Sequence, residues 1–349
     1  MSAARTRIDK WDNLKCILIF LVVTGHFANQ FQETSWNMRT IALFIYTFHM
    51  PLFIFLSGLL EKKYSGKRPF DLHRVLFYLM LGYTLKIMIF TVRYLFGEKP
   101  HFYWLSDTGI PWYMFAMAAF CLLTYLLRNL NSPAVLAISI FAAAAAGYCR
   151  EINSFLNLSR ILVFFPFYYL GYCLDSDQVL SFSKSRSLKL LSAFILAANL
   201  AVCIRWIRPF YTYIRLFTGR NPYSGINHGN CGFPQRFLFY IIAFLTGAAV
   251  LILTPEKHSR LMSLIGQRTL QIYFWHRLVL YAVIDSGLAA AIRSFCGHAW
   301  GAVYLSVGIL LTLFLSLKSF GIPFKLLKKF IYRLPLPPAL HIGRKETHQ

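Results

Sequence analysis

The sequence is poor in charge for its length, and acidic side chains are especially few. Of its 349 residues 14% are charged, and 13 Asp and Glu stand against 36 Lys and Arg. A soluble domain is close to half apolar, with about a quarter of its residues charged. This chain is 57% hydrophobic and has a mean hydropathy of +0.52. So much apolar surface requires lipid as its solvent, which argues against an ordinary soluble globular protein.

The sequence also lacks the paired cysteines of zinc fingers and redox motifs. Its seven cysteines are scattered, without a C-x-x-C pair, and no carboxylate or cysteine cluster accompanies the histidines. We therefore expect no metal site. The formal net charge of +23 comes from short basic clusters between apolar segments, which favours membrane topology over nucleic-acid binding.

Apolar segments that could cross a bilayer recur along the chain, separated by polar residues, Pro and Gly. We predict an all-α integral membrane protein, a bundle of about ten transmembrane helices. It would form one domain at 1–333, followed by a Pro-rich, charged cytoplasmic tail at 334–349. The predicted apolar cores are 13–30, 40–60, 74–96, 111–128, 134–149, 158–174, 188–207, 236–254, 269–291 and 299–320.

The distribution of Lys and Arg indicates the orientation. If the N-terminus lies in the cytoplasm, cytoplasmic loops hold about twice as many Lys and Arg as outer loops, which fits the positive-inside rule and places both termini in the cytoplasm. The outer segment 208–235 departs from this bias, because it carries Arg215 and Arg220 among tyrosines and asparagines. Such a surface suits an anionic sugar, but an interfacial helix with snorkelling arginines explains it equally well.

The first predicted helix carries Lys15 and, eleven residues later, His26. This spacing puts both side chains on one face, about 16 Å apart along the axis. Lys15 near the cytoplasm could hold a phosphate while His26 meets an acyl group or a hydroxyl, and histidine suits general base catalysis. A packed histidine within the bundle is the alternative reading.

The second predicted helix descends from the outer side through His49 and Pro51 to Ser57. His49 reaches a depth similar to that of His26, and Pro51 permits a kink. Two histidines at one depth on adjacent helices indicate a site. His49 is therefore a catalytic candidate, and Ser57 would help to shape its pocket.

The ninth predicted helix holds Tyr273, His276 and Arg277 in its cytoplasmic half. Tyr273 and Arg277 share a face because they are four residues apart. An arginine beside a histidine inside a membrane is costly unless it meets an anion or a partner. These three residues are candidates for binding a cofactor.

The predicted cytoplasmic loop from Glu61 to Arg74 contains a cluster of cations that ends in His73 and Arg74. These cations suit the phosphates of coenzyme A, although ordinary anchoring to anionic lipid explains most of them equally well. Arg74 stands apart because it opens the third predicted helix.

Several of these patterns together resemble acyltransferase family three. They are Lys15-x10-His26, the string Phe48-His-Met-Pro-Leu-Phe with Leu56-Ser-Gly, Ile110-Pro-Trp112-Tyr113, and Gly266-x-x-Thr269-Leu-x-Ile-Tyr273-x-x-His276. Asp12-Asn-Leu-Lys15 resembles the subgroup of fucose 4-O-acetylase-like enzymes.

The resemblance implies a ten-helix enzyme of the bacterial inner membrane that takes acetyl from cytoplasmic acetyl-CoA and acylates a glycan or lipid-linked saccharide at the far face. It makes His26 the leading catalytic residue, with Lys15 as its partner, and places Arg74 in the basic loop of the family. Some relatives carry a hydrolase-like domain after the last helix. Without one, this chain would complete the transfer alone or hand the acetyl group to a separate extracytoplasmic partner.

We accordingly expect an O-acetyltransferase that acts on a cell-envelope glycan, with Trp112, Arg215 and Arg220 meeting the acceptor. The main alternative is a glycan or lipid transporter or flippase, in which the buried charges form a substrate path. The sequence shows no internal repeat of the kind found in many transporters. A non-catalytic membrane scaffold would not need histidines at three depths.

Overall fold

The computed structural model describes residues 8–65, 70–106, 109–226 and 228–335, and for residues 62–65 only the backbone. Regular structure in these ranges is helical, with one isolated β-bridge between Ser106 and Phe155. The all-helical prediction is confirmed for the described residues. The helices are α1 (Asp9–Gln30), α2 (Trp36–Tyr46), α3 (His49–Ser65), α4 (Leu72–Leu95), α5 (Trp112–Leu126), α6 (Ser132–Ala145), α7 (Leu158–Cys173), α8 (Ser176–Ser183), α9 (Arg186–Arg205), α10 (Ile207–Tyr211), α11 (Ile214–Phe217), α12 (Gly232–Leu253), α13 (Arg260–Gly266), α14 (Thr269–Asp285), α15 (Leu288–Phe295), α16 (Trp300–Leu315) and α17 (Ile322–Ile331).

The helices long and apolar enough to cross a membrane number six among the described residues, or seven if α14 and α15 form one span bent by 63°. Three further apolar helices lie where spans were predicted but are shorter than these six, with 10–17 residues. The predicted count of about ten spans is therefore not confirmed. The six spans are Asp9–Gln30, Trp36–Glu61, Leu72–Leu95, Arg186–Arg205, Gly229–Leu253 and Gly297–Leu315, and the shorter helices are Trp112–Leu126, Ser132–Tyr148 and Leu158–Cys173.

The outer helices present large apolar side chains on the surface of the bundle. Leu190 and Phe194 of α9 are 68% and 70% exposed, and Leu310 of α16 is 63% exposed. This surface is stable only where lipid surrounds it, because burying apolar area from water is worth about 25 cal/mol per Å². The exposed faces therefore fit a multi-pass membrane protein.

The first helix lies at the centre of the bundle. It packs against α2, α3, α13, α14 and α16. Its first turn is tied to the segment after α12: the Lys10 ammonium donates to the carbonyl of Thr254 at 2.9 Å, and the Asn13 amide donates to the carbonyls of Pro255 and Lys257. These bonds fix the register of α1 and so the depth of the histidine near its other end.

Helices α3 and α7 cross at two glycines. A Cβ added at Gly58 would overlap the backbone oxygen of Tyr168, and one added at Gly171 would overlap the backbone oxygen of Phe55. Only glycine allows two helix backbones to approach this closely, as in the small-residue contacts of membrane helices. The two helices consequently pack as one unit.

The second predicted segment is broken between α2 and α3. Pro51 cannot donate to the carbonyl four residues earlier, at Thr47, and its ring crowds that carbonyl. The break accordingly falls at Thr47 and Phe48, one turn before the proline. The Thr47 hydroxyl donates to the Phe44 carbonyl and accepts from the Asn199 amide at 2.9 Å, so this polar group at the break is satisfied within the bundle.

Candidate active site

A cavity of about 200 Å³ lies in the half of the bundle where α1 ends. Helices α1, α2, α3, α5, α7, α11 and α14 and the segment after α11 contribute to its wall. The predicted site residues that line it are His26, His49, Trp112, Arg215, Arg220, Tyr273 and Arg277.

Three histidines from separate segments lie close together here, and two of them, His26 and His49, line the cavity. The rings of His26 and His276 lie 5.3 Å apart, centroid to centroid. The ring of Tyr46 lies 6.3 Å from His26 and stacks on His49 at 5.0 Å, so it connects the two. The structure thus brings together the histidines of the first, second and ninth predicted helices.

Hydrogen bonds to the backbone define the tautomers of two of these histidines. The Nδ1 atom of His276 lies 2.7 Å from the carbonyl oxygen of Tyr273 and 3.1 Å from that of Ile272. Carbonyl oxygens only accept, so Nδ1 carries the proton and Nε2 is the basic nitrogen. The same reasoning applies to His49, whose Nδ1 donates to the Ile45 carbonyl at 2.9 Å. The Nε2 atom of His276 is buried and has no hydrogen-bond partner among the described residues.

Arg277 brings a guanidinium group to the same wall. Its Nη2 donates to the hydroxyl of Tyr281 at 3.2 Å, while its Nε and Nη1 atoms are buried without a partner in the described part of the chain. Buried donors left unpaired are costly, so these two N–H groups are suited to an incoming oxygen anion. Tyr273, one turn earlier, donates its hydroxyl to the Ile110 carbonyl at 2.6 Å.

Arg160 is a site residue that sequence reasoning missed. Its guanidinium lies over the Trp112 ring at 5.0 Å and donates to the carbonyls of Thr218 and Gly109. It stands in the first turn of a predicted membrane segment, where a cation usually marks the interface with water. Arg160 is the only charged residue of that segment, so the sequence did contain a weak indication of its role.

Positive charge dominates the cavity. Arg160, Arg215, Arg220 and Arg277 line it, and no Asp or Glu among the described residues does so. Arg215 and Arg220 come from the segment 208–235, which therefore reaches the site. Such a lining is electrostatically suited to an anionic ligand or to a transition state that develops negative charge.

A second cavity of about 400 Å³ lies at the opposite end of the bundle, where α3 ends and α4 begins. The Arg74 guanidinium forms an ion pair there with Glu61, while Arg128 and Lys328 also line the wall. The two cavities share no lining residue. This cavity offers three cations to a ligand, although one of them is already paired with a carboxylate.

Three predicted cofactor residues lie outside both cavity linings: His276, which stands beside His26, and also Lys15 and His73. Lys15 forms an ion pair with Asp12 at 2.8 Å, and its helix places it about 16 Å along the axis from His26. His73 stacks on Tyr332 at 5.1 Å and its Nε2 lies 3.1 Å from the carbonyl oxygen of Leu334. Other cations of the predicted loop are not described: Lys67 and Arg68 fall outside the described residues, as do the side chains of Lys62 and Lys63.

A layer of hydroxyl groups lies between the two cavities. The Ser57 hydroxyl and the Tyr113 hydroxyl are hydrogen-bonded at 3.0 Å, and the Tyr113 ring lies 5.1 Å from that of Tyr273. Along α3, Ser57 stands between His49, which lines the first cavity, and Glu61, which lines the second. We call Ser57, Tyr113 and Tyr273 the hydroxyl layer.

The fold and the cavities define a helical membrane protein with a buried histidine and arginine site. The chain matches the family model of acyltransferase family 3, described as an acyltransferase domain, over residues 8–319. It belongs to this family and is a membrane acyltransferase. No curated protein and no solved structure matches the chain, and membership of the fucose 4-O-acetylase-like subgroup is not confirmed.

Proposed function

We propose that the protein is an O-acetyltransferase of the bacterial inner membrane, with both termini in the cytoplasm. It takes acetyl from cytoplasmic acetyl-CoA and transfers it to a hydroxyl of a cell-envelope glycan or lipid-linked sugar. The observation that carries the proposal is the pair of cavities at opposite ends of the bundle, one lined by His26 and His49 and the other by Arg74, Arg128 and Lys328. In this proposal the bent pair α14 and α15 and the three shorter apolar helices also cross the membrane, which gives ten spans together with the six long helices.

The donor would enter from the cytoplasmic cavity. Arg74, Arg128 and Lys328 suit the phosphates of coenzyme A, because guanidinium and ammonium groups are the usual phosphate ligands in proteins. Lys15, at the same end of the bundle, remains a candidate for this contact if a phosphate displaces its ion pair with Asp12. The acyl arm would then extend past the hydroxyl layer towards His276 and Arg277.

The chemistry would take place beside His26 and His276. The acceptor oxygen attacks the thioester carbonyl carbon, and an imidazole nitrogen accepts the hydroxyl proton. The two unpartnered N–H groups of Arg277 are suited to the negative charge on the carbonyl oxygen in the tetrahedral intermediate. When that intermediate collapses, the carbon–sulfur bond breaks and the coenzyme A thiolate leaves, taking the proton from the imidazolium.

A covalent route through His26 is a variant of the same mechanism. The imidazole nitrogen would attack the thioester, coenzyme A would leave, and the acceptor hydroxyl would then take acetyl from the histidine. Neither route uses a metal ion, and no group of three metal-ligating side chains occurs among the described residues. A transporter function is not favoured, because family membership assigns acyl transfer to the chain.

The test is acetyl transfer by the purified chain in lipid nanodiscs with radiolabelled acetyl-CoA. His26→Ala is compared with wild type and with His298→Ala, which removes an exposed histidine outside both cavities. We expect turnover or protein labelling to be lost in His26→Ala alone. Wild-type turnover by a folded His26→Ala protein would contradict the mechanism, and a folded wild-type chain that uses no acyl-CoA would contradict the function.

A further inference from the structure

Another polar cavity adjoins the cavity lined by His26 and His49, which we call the histidine cavity. It has a volume of about 370 Å³ and shares Arg160, Arg215 and Arg220 with its neighbour. Asn and Ser side chains supply most of the remaining wall, and no Asp or Glu of the described residues contributes. We call this space the anion cavity. Its composition is unusual for a membrane bundle, in which polar groups are normally paired with one another.

Among the buried side-chain atoms of the anion cavity that lack a hydrogen-bond partner in the described residues, donors outnumber acceptors. The Nε atom of Arg215 and the Nδ2 atom of Asn221 are buried without a hydrogen-bond partner among the described residues, and Asn157 Oδ1 is the one such acceptor in the lining. Leaving buried donors unpaired costs about 1–3 kcal/mol each. A ligand rich in acceptor oxygens would satisfy them.

The orientation of the Asn221 side chain is fixed by a hydrogen bond from Arg236. The buried Arg236 donates to the Asn221 side-chain oxygen at 3.0 Å and to the Leu216 carbonyl at 2.8 Å. This bond occupies the oxygen of the amide, so its NH₂ group remains for a ligand. Ser159 holds the same segment to α7, because its hydroxyl donates to the Gly219 carbonyl and accepts from the Asn221 N–H.

Arg215 lies close enough to Arg220 to disfavour the charge of Arg220. Burial, and then repulsion from Arg215, lower the pKa of Arg220. An anion placed between the two guanidinium groups would remove this repulsion and accept their hydrogen bonds. Two adjacent arginines with a preoriented amide form a site for a carboxylate or a phosphate.

We propose that the acceptor of the transferase is anionic: a carboxylate or phosphate group of the glycan binds Arg215, Arg220 and Asn221 in the anion cavity and so places a neighbouring hydroxyl at His26. The inference rests on the proposed function, because it names the class of acceptor for that site. The anionic group can belong to an acidic sugar or to the phosphate of a sugar phosphate, and the two sources share the same recognition chemistry.

The test compares acceptors that differ only in charge, with the full chain in nanodiscs. One pair is a galacturonate trisaccharide and its methyl ester, and the other is a galactose trisaccharide with and without a 1-phosphate. Binding is measured directly by calorimetry, and acetyl transfer is measured separately. We expect at least one anionic form to bind about 10-fold or more tightly than its neutral partner, as for a charge-assisted hydrogen bond.

Substitutions then assign the effect to the cavity. Arg215→Gln and Arg220→Gln should each reduce the charge preference without changing the KM for acetyl-CoA, and Arg215→Lys should keep part of it. Arg208→Gln is the matched control, since it removes an exposed cation of the same segment that lies over Trp36 at 5.1 Å. Melting temperatures identify any variant that fails to fold.

The outcomes separate this inference from the proposed function. Charge-selective binding that disappears in Arg215→Gln supports the inference even if acetyl-CoA is never used, which would overturn the proposed function alone. Equal binding of charged and neutral forms in both pairs would overturn the inference, and so would an equal loss of preference in Arg208→Gln. A preference within one pair identifies the carboxylate or the phosphate as the recognised group.

Discussion

The imidazole rings of His26 and His276 lie 5.3 Å apart, although they belong to the first and the ninth predicted membrane segments. The first is anchored through the opening turn of α1, and the second through its Nδ1 bonds to the backbone of α14. Each ring is thus positioned by the bonds of its own helix.

The Nε2 nitrogen of His276 can be removed selectively. In His276→Asn, the side-chain amide can still donate to the backbone carbonyls that now accept from Nδ1, but the basic nitrogen is lost. We expect kcat to fall by about 10²–10⁴, the usual contribution of a general base, with an unchanged melting temperature. His298→Asn is the control, and an unaltered kcat in a folded His276→Asn protein would exclude a chemical role for this nitrogen.

Arg74 has two roles that a double substitution can separate. Arg74→Gln leaves the largely buried Glu61 without its ion-pair partner, so we expect the free energy of unfolding to fall by about 3 kcal/mol and the KM for acetyl-CoA to rise. Adding Glu61→Gln should recover most of the stability, because no buried charge remains, while the KM stays high.

Chemical denaturation measures the free energy of unfolding of these Arg74 variants, and steady-state kinetics measures their KM for acetyl-CoA. Arg128 lines the same cavity without such an ion pair among the described residues. We therefore expect Arg128→Gln to raise the KM for acetyl-CoA at little cost in stability. Recovery of the wild-type KM in the Arg74→Gln/Glu61→Gln protein would show that Arg74 has no contact with the donor.

The hydroxyl layer should limit the access of water to the thioester. Tyr113→Ala removes the ring that packs against Tyr273 and Phe53, so we expect the two cavities to join and acetyl-CoA hydrolysis without acceptor to rise several-fold. Tyr113→Phe loses only the hydrogen bond to Ser57 and should hydrolyse acetyl-CoA slowly, like wild type. Equal hydrolysis by Tyr113→Ala and wild type would mean that the layer is not a barrier.

The glycine contact between α3 and α7 should be sensitive to a single methyl group. A Cβ at Gly58 meets backbone atoms of Tyr168 and Tyr172, which cannot move aside as a side chain would. We expect Gly58→Ala to lower the free energy of unfolding by about 1–3 kcal/mol, the usual range for overpacking. Gly247→Ala is the matched control, because its Cβ would lie 3.5 Å from the Leu52 side chain in ordinary contact, and equal melting temperatures would contradict the argument.

Composition and hydropathy predicted the helical fold well, because long apolar runs have few alternatives to helices in lipid. They did not predict which helices would reach full length: α5, α6 and α7 are largely apolar but short. The break of the second segment at Thr47 follows from Pro51 by a steric rule, although the proline itself sits inside α3.

Within the site, spacing was informative only along single helices. It placed His26 and Lys15 on one face but could not show that the Lys15 ammonium pairs with Asp12. The adjacency of His26 and His276 depends on packing between distant segments, and so does the stacking of Arg160 on Trp112. Tyr46 could not be selected in advance, because nothing in the sequence distinguishes it from the other tyrosines.

The separation of the two cavities has a consequence for the cell as well as for the reaction. A membrane that carries an electrochemical gradient must not contain a continuous aqueous path, since each elementary charge that crosses releases about 2.3 kcal/mol per 100 mV. In the described part of the bundle, the hydrogen bond between Ser57 and Tyr113 lies between two cavities that share no lining residue. In the proposed reaction the acyl arm of the donor would fill the passage past this layer during transfer, so that the bilayer keeps its electrical insulation against ion leakage.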